Sequence, residues 1–154
     1  MDIDALKTSI KNISLNDIVK KAFQSSYIQK LVIQYNQQQL YEKGIDSTGT
    51  IIKTFLAHTP NVYADRTIII KQGKGQRTDV VTLKDTGAFY ESMQVTSKDK
   101  YIEITANFAK SDGNMNKNID TTNILGLTDY NKEDLQGFLR PVVSSELKRA
   151  FLGT

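Results

Sequence analysis

Apolar residues recur at helical spacing over most of the first third of the chain. Ile3, Leu6, Ile10 and Ile13 suggest a short amphipathic lead-in. Ser14, with Asp17 three residues on, then reads as the capped start of a new helix. From there Leu15, Ile18, Val19, Ala22, Phe23, Leu31, Val32 and Tyr35 follow in steps of three and four. Lys20, Lys21, Gln24, Gln29 and Lys30 stay largely off that stripe. The pattern predicts one long N-terminal helix ending at Gly44, because glycine accepts the left-handed conformation that terminates helices. Gln37, Gln38 and Gln39 read as solvated helix surface.

The period changes after Gly44. Residues 45–64 carry Gly49 and Pro60 and show no clear repeat. Residues 67–72 and 78–83 are rich in Ile, Val and Thr, and Gly73-Lys74-Gly75-Gln76-Arg77 separates them, which predicts a hairpin with a glycine-bearing loop. Ile102, Ile104, Ala106 and Phe108 alternate with Tyr101, Glu103, Thr105 and Asn107, as in a half-buried strand. Residues 93–96 would pair with it through a turn at 97–100. The expectation is four strands in two antiparallel hairpins. Residues 110–123 are polar and read as a loop with almost nothing to contribute to a core. Helical spacing returns at Leu135, Phe138, Leu139, Val142, Val143, Leu147 and Phe151, with Asn131 and Asp134 as a cap. Pro141 implies a kink there, or two consecutive helices. The predicted class is α+β, one domain over 1–154: an N-terminal helical segment at 1–44, a sheet at 45–109, a polar loop at 110–123 and a C-terminal helical segment at 124–154.

Composition narrows the chemistry. The 154 residues include no cysteine, so disulfides, thiolate metal sites and thiol nucleophiles are excluded. Apolar runs such as Ile68-Ile69-Ile70 are far too short to span a bilayer, and the N-terminus lacks the basic and apolar regions of a signal peptide. A net charge of +3 is mild. It is uneven, however: Arg66, Lys71, Lys74, Arg77 and Lys84 face only Asp79 within 66–84. A basic hairpin tip there could meet phosphate, so a nucleic-acid-binding module is the alternative reading. The glycines at 73 and 75 do not make a P-loop, whose spacing and following helix are both missing.

His58 is the only histidine and reads as an exposed loop residue. The only Glu-x-Lys, Glu146-Leu147-Lys148, falls in the C-terminal helix, away from the strand a nuclease centre needs. Asp79, Asp85, Glu91 and Glu103 are scattered with no spacing that gathers them. The expectation is a chain that is not an enzyme, with no catalytic, cofactor-binding or metal-ligating residues. A small hydrolase using Asp85 is the rival, and loss of activity in Asp85→Asn would be its signature.

One segment combines strand, turn and helical turn: Asp85 or Thr86 can accept backbone N–H bonds and Gly87 permits close chain approach. Leu83, Asp85, Thr86, Gly87, Phe89, Ser92, Met93 and Val95 fill a "Leu-x-Asp-Thr-Gly-x-Leu/Phe-x-x-Ser-hydrophobic-x-Val" pattern. It resembles the signature of tailed-bacteriophage tail-completion and virion-morphogenesis proteins of the head–tail junction. Ile124-Leu125-Gly126-Leu127-Thr128 with Glu133-Asp134 resembles that family's "Phe-Leu-Gly-Leu-Ser-x-x-Asp" element before its last helix. The stretch from Gln39 to Lys84 is similar to proteins from phages of Bacteroides-type bacteria, crAss-like phages among them. The polar residues 110–123 stand where the family often carries "Tyr-Ala…-Glu-x-Gly". An aspartic protease also uses Asp-Thr-Gly, but Lys84 interrupts the apolar approach that such a site requires.

The resemblance implies a structural virion protein, made in the bacterial host cytoplasm and forming a ring of 12 or 6 copies. Its partners would be itself, portal, other neck or tail proteins and packaged DNA, with no membrane. Asp85, Thr86 and Gly87 would form a structural turn, and Lys71, Lys74 and Arg77 a basic loop facing the channel or an acidic partner. Neutralising those three should impair assembly or genome retention while sparing the fold.

Overall fold

The computed structural model describes residues 14–99, 101–110 and 113–152, so the lead-in expected at Ile3–Ile13 spacing lies outside the described residues. The chain is α+β, but neither the long N-terminal helix nor the four-stranded sheet forms.

Ser14 caps the first helix as its sequence suggests, its Oγ accepting from the Asp17 N–H at 3.3 Å. That helix, α1 (Leu15–Gln24), stops at Ser25, whose backbone is extended at φ −60°, ψ 125°. A second helix, α2 (Ser26–Gln38), starts at once, the Gln29 N–H bonding the Ser25 carbonyl. The Gln29 side-chain amide donates to the Phe23 carbonyl at 3.1 Å across the break, and two packed helices replace one rod. A π-helical turn (Gln39–Lys43) follows and closes at Gly44, φ 61°. Glycine is required twice over at 44: a Cβ would lie 2.6 Å from Val80 Cβ.

The expected first hairpin is absent. Residues 65–73 form helix α3 (Asp65–Gly73), with Thr67 and Ile68 N–H groups both bonding the Ala64 carbonyl. Strand propensity of Thr67 and Ile68–Ile70 loses here because a helix satisfies its own backbone, whereas a strand needs a neighbour and none of the described strands lies beside it. Residues 78–83 are irregular and join no ladder, bending at Asp79 and Val80. Their backbone is instead held by side chains: Tyr63 Oη accepts from the Thr82 N–H at 3.0 Å, and Tyr90 Oη donates to the Thr82 carbonyl. Burial is the largest influence on both phenols and pushes each upward in pKa, so each stays protonated.

A short helix α4 (Ala88–Glu91) leads into β1 (Gln94–Ser97), which pairs antiparallel with β2 (Ile102–Thr105), Val95 opposite Ile104. This hairpin forms where the alternation placed it, as a two-stranded ribbon rather than a piece of a larger sheet. A second ribbon of two-residue strands, β3 (Ala109–Lys110) and β4 (Gly113–Asn114), precedes a 3-10 turn (Met115–Lys117). The 110–123 stretch is therefore not a structureless loop: Met115 and Ile119 are buried in the main core with Leu40, Tyr63 and Val81. The last helix, α5 (Asp129–Leu152), runs as one element through Pro141. Pro141 leaves the Gly137 carbonyl without its helical donor, and Gly137 is exposed, so water can serve it. Thr128, not Asn131, caps this helix, its Oγ1 accepting from the Asn131 N–H at 3.3 Å. α5 packs on α1 and α2, and a second cluster of Ile28, Val32, Leu127 and Leu135 fills the space, with Val95 and Ile104 of the ribbon against it.

Candidate functional site

The segment around Asp85 folds as a strained turn built into the core. Leu83 takes φ 53°, a left-handed conformation uncommon for a residue with a Cβ, and is nonetheless buried. Asp85 Oδ1 accepts from Lys74 Nζ at 3.0 Å and Gln76 Nε2 at 3.4 Å. Thr86 Oγ1 accepts from the Ala88 N–H at 3.4 Å. Gly87, at φ 98°, begins α4. Phe89 and Tyr90 are buried edge to face, and Phe89 also meets Phe108, ring centres 5.1 Å apart. Ser92 Oγ donates to the Phe89 carbonyl and accepts from the Asn107 N–H, tying the turn to the chain after β2.

The second motif is held as firmly, by residues that its own pattern does not contain. Gln39 Nε2 donates to the Gly126 carbonyl at 2.7 Å, and its Oε1 accepts from the Thr128 N–H at 3.2 Å and Asn131 Nδ2 at 3.0 Å. Asn36 donates to the Ile124 carbonyl at 3.2 Å and accepts from the Gly126 N–H at 3.4 Å. Gln39 is 2% exposed, not solvated surface. Gln37 donates to the Tyr90 carbonyl at 3.0 Å and links the two motifs through α2. Sequence reasoning missed this network, although one signal was present. Asn36 and Gln39 continue the apolar stripe of Ile28 and Val32, where a polar side chain must be satisfied internally.

Beside the Asp85 turn lies a groove of about 570 Å³, bounded by α3, residues 81–85, the 54–56 loop and the 3-10 turn. Val81, Leu83, Met115 and Ile119 line its floor. Phe55, Leu56 and Ile70 stand on the rim, 61%, 75% and 50% exposed. Arg66, Lys71, Lys74, Lys84 and Lys117 also line it, against the single carboxylate of Asp85. Lys71 lies over the Tyr63 ring at 5.1 Å, and Lys84 over that of Tyr41 at 5.0 Å.

Comparison of the chain with protein families, curated proteins and solved structures gives no match.

The three basic residues predicted to act together are divided by the fold, since they flank a helix end rather than a hairpin tip. Lys71 and Lys74 line the groove; Arg77 does not. Its guanidinium bonds the Tyr41 carbonyl at 3.0 Å and grips Asp79, Nε to Oδ1 at 2.9 Å. That hydrogen bond holds the Asp79 carboxyl below its usual range. Arg77 thereby satisfies a carbonyl at the end of the π-helical turn. His58 is exposed. Glu146 pairs with Lys21 at 2.7 Å and Arg149 at 2.8 Å, not with Lys148. Among the described residues no group of three or more His, Asp and Glu side chains is close enough to hold a metal ion.

Proposed function

We propose that this chain is a structural protein of a tailed-phage virion, assembling head to tail into a ring at the head–tail junction and joining portal to tail. The observation that carries the assembly is the β1–β2 ribbon, which has no further strand on either outer edge among the described residues. The Lys98 N–H to Tyr101 carbonyl bond, 2.8 Å, marks that pair as hydrogen-bonded. By antiparallel alternation Ser97 and Ile102, and then Val95 and Ile104, turn their N–H and C=O groups outward. β2 of one copy and β1 of the next run antiparallel when the ring axis lies along the strands, so the ladder continues from subunit to subunit. Such a contact uses two different edges, the requirement for a heterologous interface that closes into a ring. Exposed Leu15, Val19, Phe151 and Leu152 on α1 and α5 add apolar surface of the kind that assembly covers. The virion setting rests on the resemblance of the Leu83–Val95 and Ile124–Thr128 motifs to those of phage head–tail junction proteins.

Light scattering on the purified protein over a wide concentration range tests the ring. The expected result is a discrete species six or twelve times the 17.3 kDa chain. Ser97→Pro removes an outward N–H without touching the internal ladder, and should return the species to monomer with its circular dichroism unchanged. A chain that stays monomeric at every concentration, and is missing from purified virions, would overturn the proposal.

A further inference from the structure

We infer that the groove between α3 and the Asp85 turn is a docking site for an acidic peptide segment of a partner protein, anchored by one or two large apolar side chains. The inference stands on the lining of the groove alone and holds whether or not copies of this chain assemble. Three features define the occupant. The floor is aliphatic and buried, so it offers dispersion contact and water exclusion to an inserted apolar side chain. The rim keeps Phe55, Leu56 and Ile70 in water, a cost that a covering segment would relieve. The walls bring five cations to one carboxylate, and neither Arg66 nor Lys117 has an ion-pair partner among the described residues. An apolar anchor flanked by Asp or Glu complements all three; a neutral or basic segment leaves the cations facing like charge or nothing.

Nucleic acid fits less well. Phe55 is the only exposed ring on the rim, so there is no row of aromatic platforms for bases, and the Asp85 carboxylate, engaged by Lys74, opposes a phosphate. The cations are also grouped around a concave apolar floor, whereas a phosphate backbone is tracked by charge along an open path.

The test is selection from a random dodecapeptide display library on the immobilised full-length chain. Fluorescence anisotropy then follows one selected peptide and, separately, a 20-base-pair duplex DNA. Enriched peptides are expected to be net negative and to contain Leu, Ile, Phe, Trp or Met. Charge reversal of two exposed wall residues, Arg66→Glu with Lys117→Glu, should weaken the selected peptide at least ~10-fold. Leu56→Ser should weaken it by a similar factor, while Lys132→Glu on α5, outside the groove, should change it less than ~2-fold. No enrichment, a consensus without acidic bias, or affinity indifferent to all the groove variants would overturn the proposal. So would duplex DNA bound more tightly than any selected peptide and lost in the same charge-reversal variant.

Discussion

Replacing Gln39 by methionine keeps the length of the side chain and removes all of its hydrogen bonds. In the native fold those bonds reach the Gly126 carbonyl, the Thr128 N–H and Asn131 Nδ2 at 2.7, 3.2 and 3.0 Å. Leaving a buried polar group unpaired costs about 1–3 kcal/mol. The three partners are not equally stranded. Asn131 retains a long contact to the Tyr35 carbonyl at 3.5 Å, and Gly126 and Thr128 are only half-buried, so water can recover some of the loss. The expected destabilisation is therefore about 3 kcal/mol rather than the sum of three full penalties. Against a total of roughly 5–15 kcal/mol for a domain, that is a large fraction. Urea unfolding followed by far-ultraviolet circular dichroism should show a lower midpoint with an unchanged m-value. Thermal unfolding should fall by roughly 6–12 °C, at about 2–4 °C per kcal/mol for this size. A double-mutant cycle with Asn131→Leu should return a coupling of at least about 0.5 kcal/mol. A loss below about 1 kcal/mol, or no coupling, would refute the claim that Gln39 holds the last helix in place.

Three further outcomes follow from the same reasoning. Gly44→Ala should destabilise by about 2–4 kcal/mol in urea titration, adding a left-handed Cβ to an overpacked contact with Val80; a change within about 0.5 kcal/mol would contradict it. Hydrogen bonds from Lys21 and Arg77 hold the Glu146 and Asp79 carboxyls below their usual range, so their stabilisation is present above the unfolded values near ~4 and lost as pH falls through the folded ones. Melting temperature should accordingly drop on acidification below about pH 4, and Glu146→Gln should flatten that drop. Burial, then the bond to Asp134, pushes the Tyr35 phenol up to about 12. Its contribution is complete below the unfolded value near ~10 and lost as pH rises from there, so Tyr35→Phe should flatten the alkaline decline in stability.

How far the chain could be read depended on whether local chemistry or distant neighbours decided each element. The Ser14 cap, the Gly44 stop and the Ile102–Ile104 alternation are local, and each formed where the pattern put it. The Ser25 break was equally local, yet an apolar stripe spaced in threes and fours continued across it and hid it. Thr67 to Ile70 are β-favouring residue types and form a helix, because no strand among the described residues lies beside them to receive them. The candidate site was only partly legible: Asp85, Thr86 and Gly87 were recognisable as a turn, and Lys71 and Lys74 as a basic pair. Arg77 looked equivalent to those two until the fold turned it onto the Tyr41 carbonyl.

The sequence by itself determined the α+β class, the absence of thiol chemistry, the Asp-Thr-Gly turn and the position of the β1–β2 strand pair. These rest on residue type and on periods of two or 3.6, which act over a few neighbours. Tertiary structure alone decided which groups satisfy the buried amides of Gln39 and Asn36, that Met115 and Ile119 complete the core, and that a basic, apolar-floored groove opens beside Asp85. Gln39 and Asn36 meet partners 87 to 92 positions away, and the groove joins residues 54–56, 63–76, 81–85 and 115–119. Burial and hydrogen-bond satisfaction are properties of that meeting, and no local window of the chain contains them.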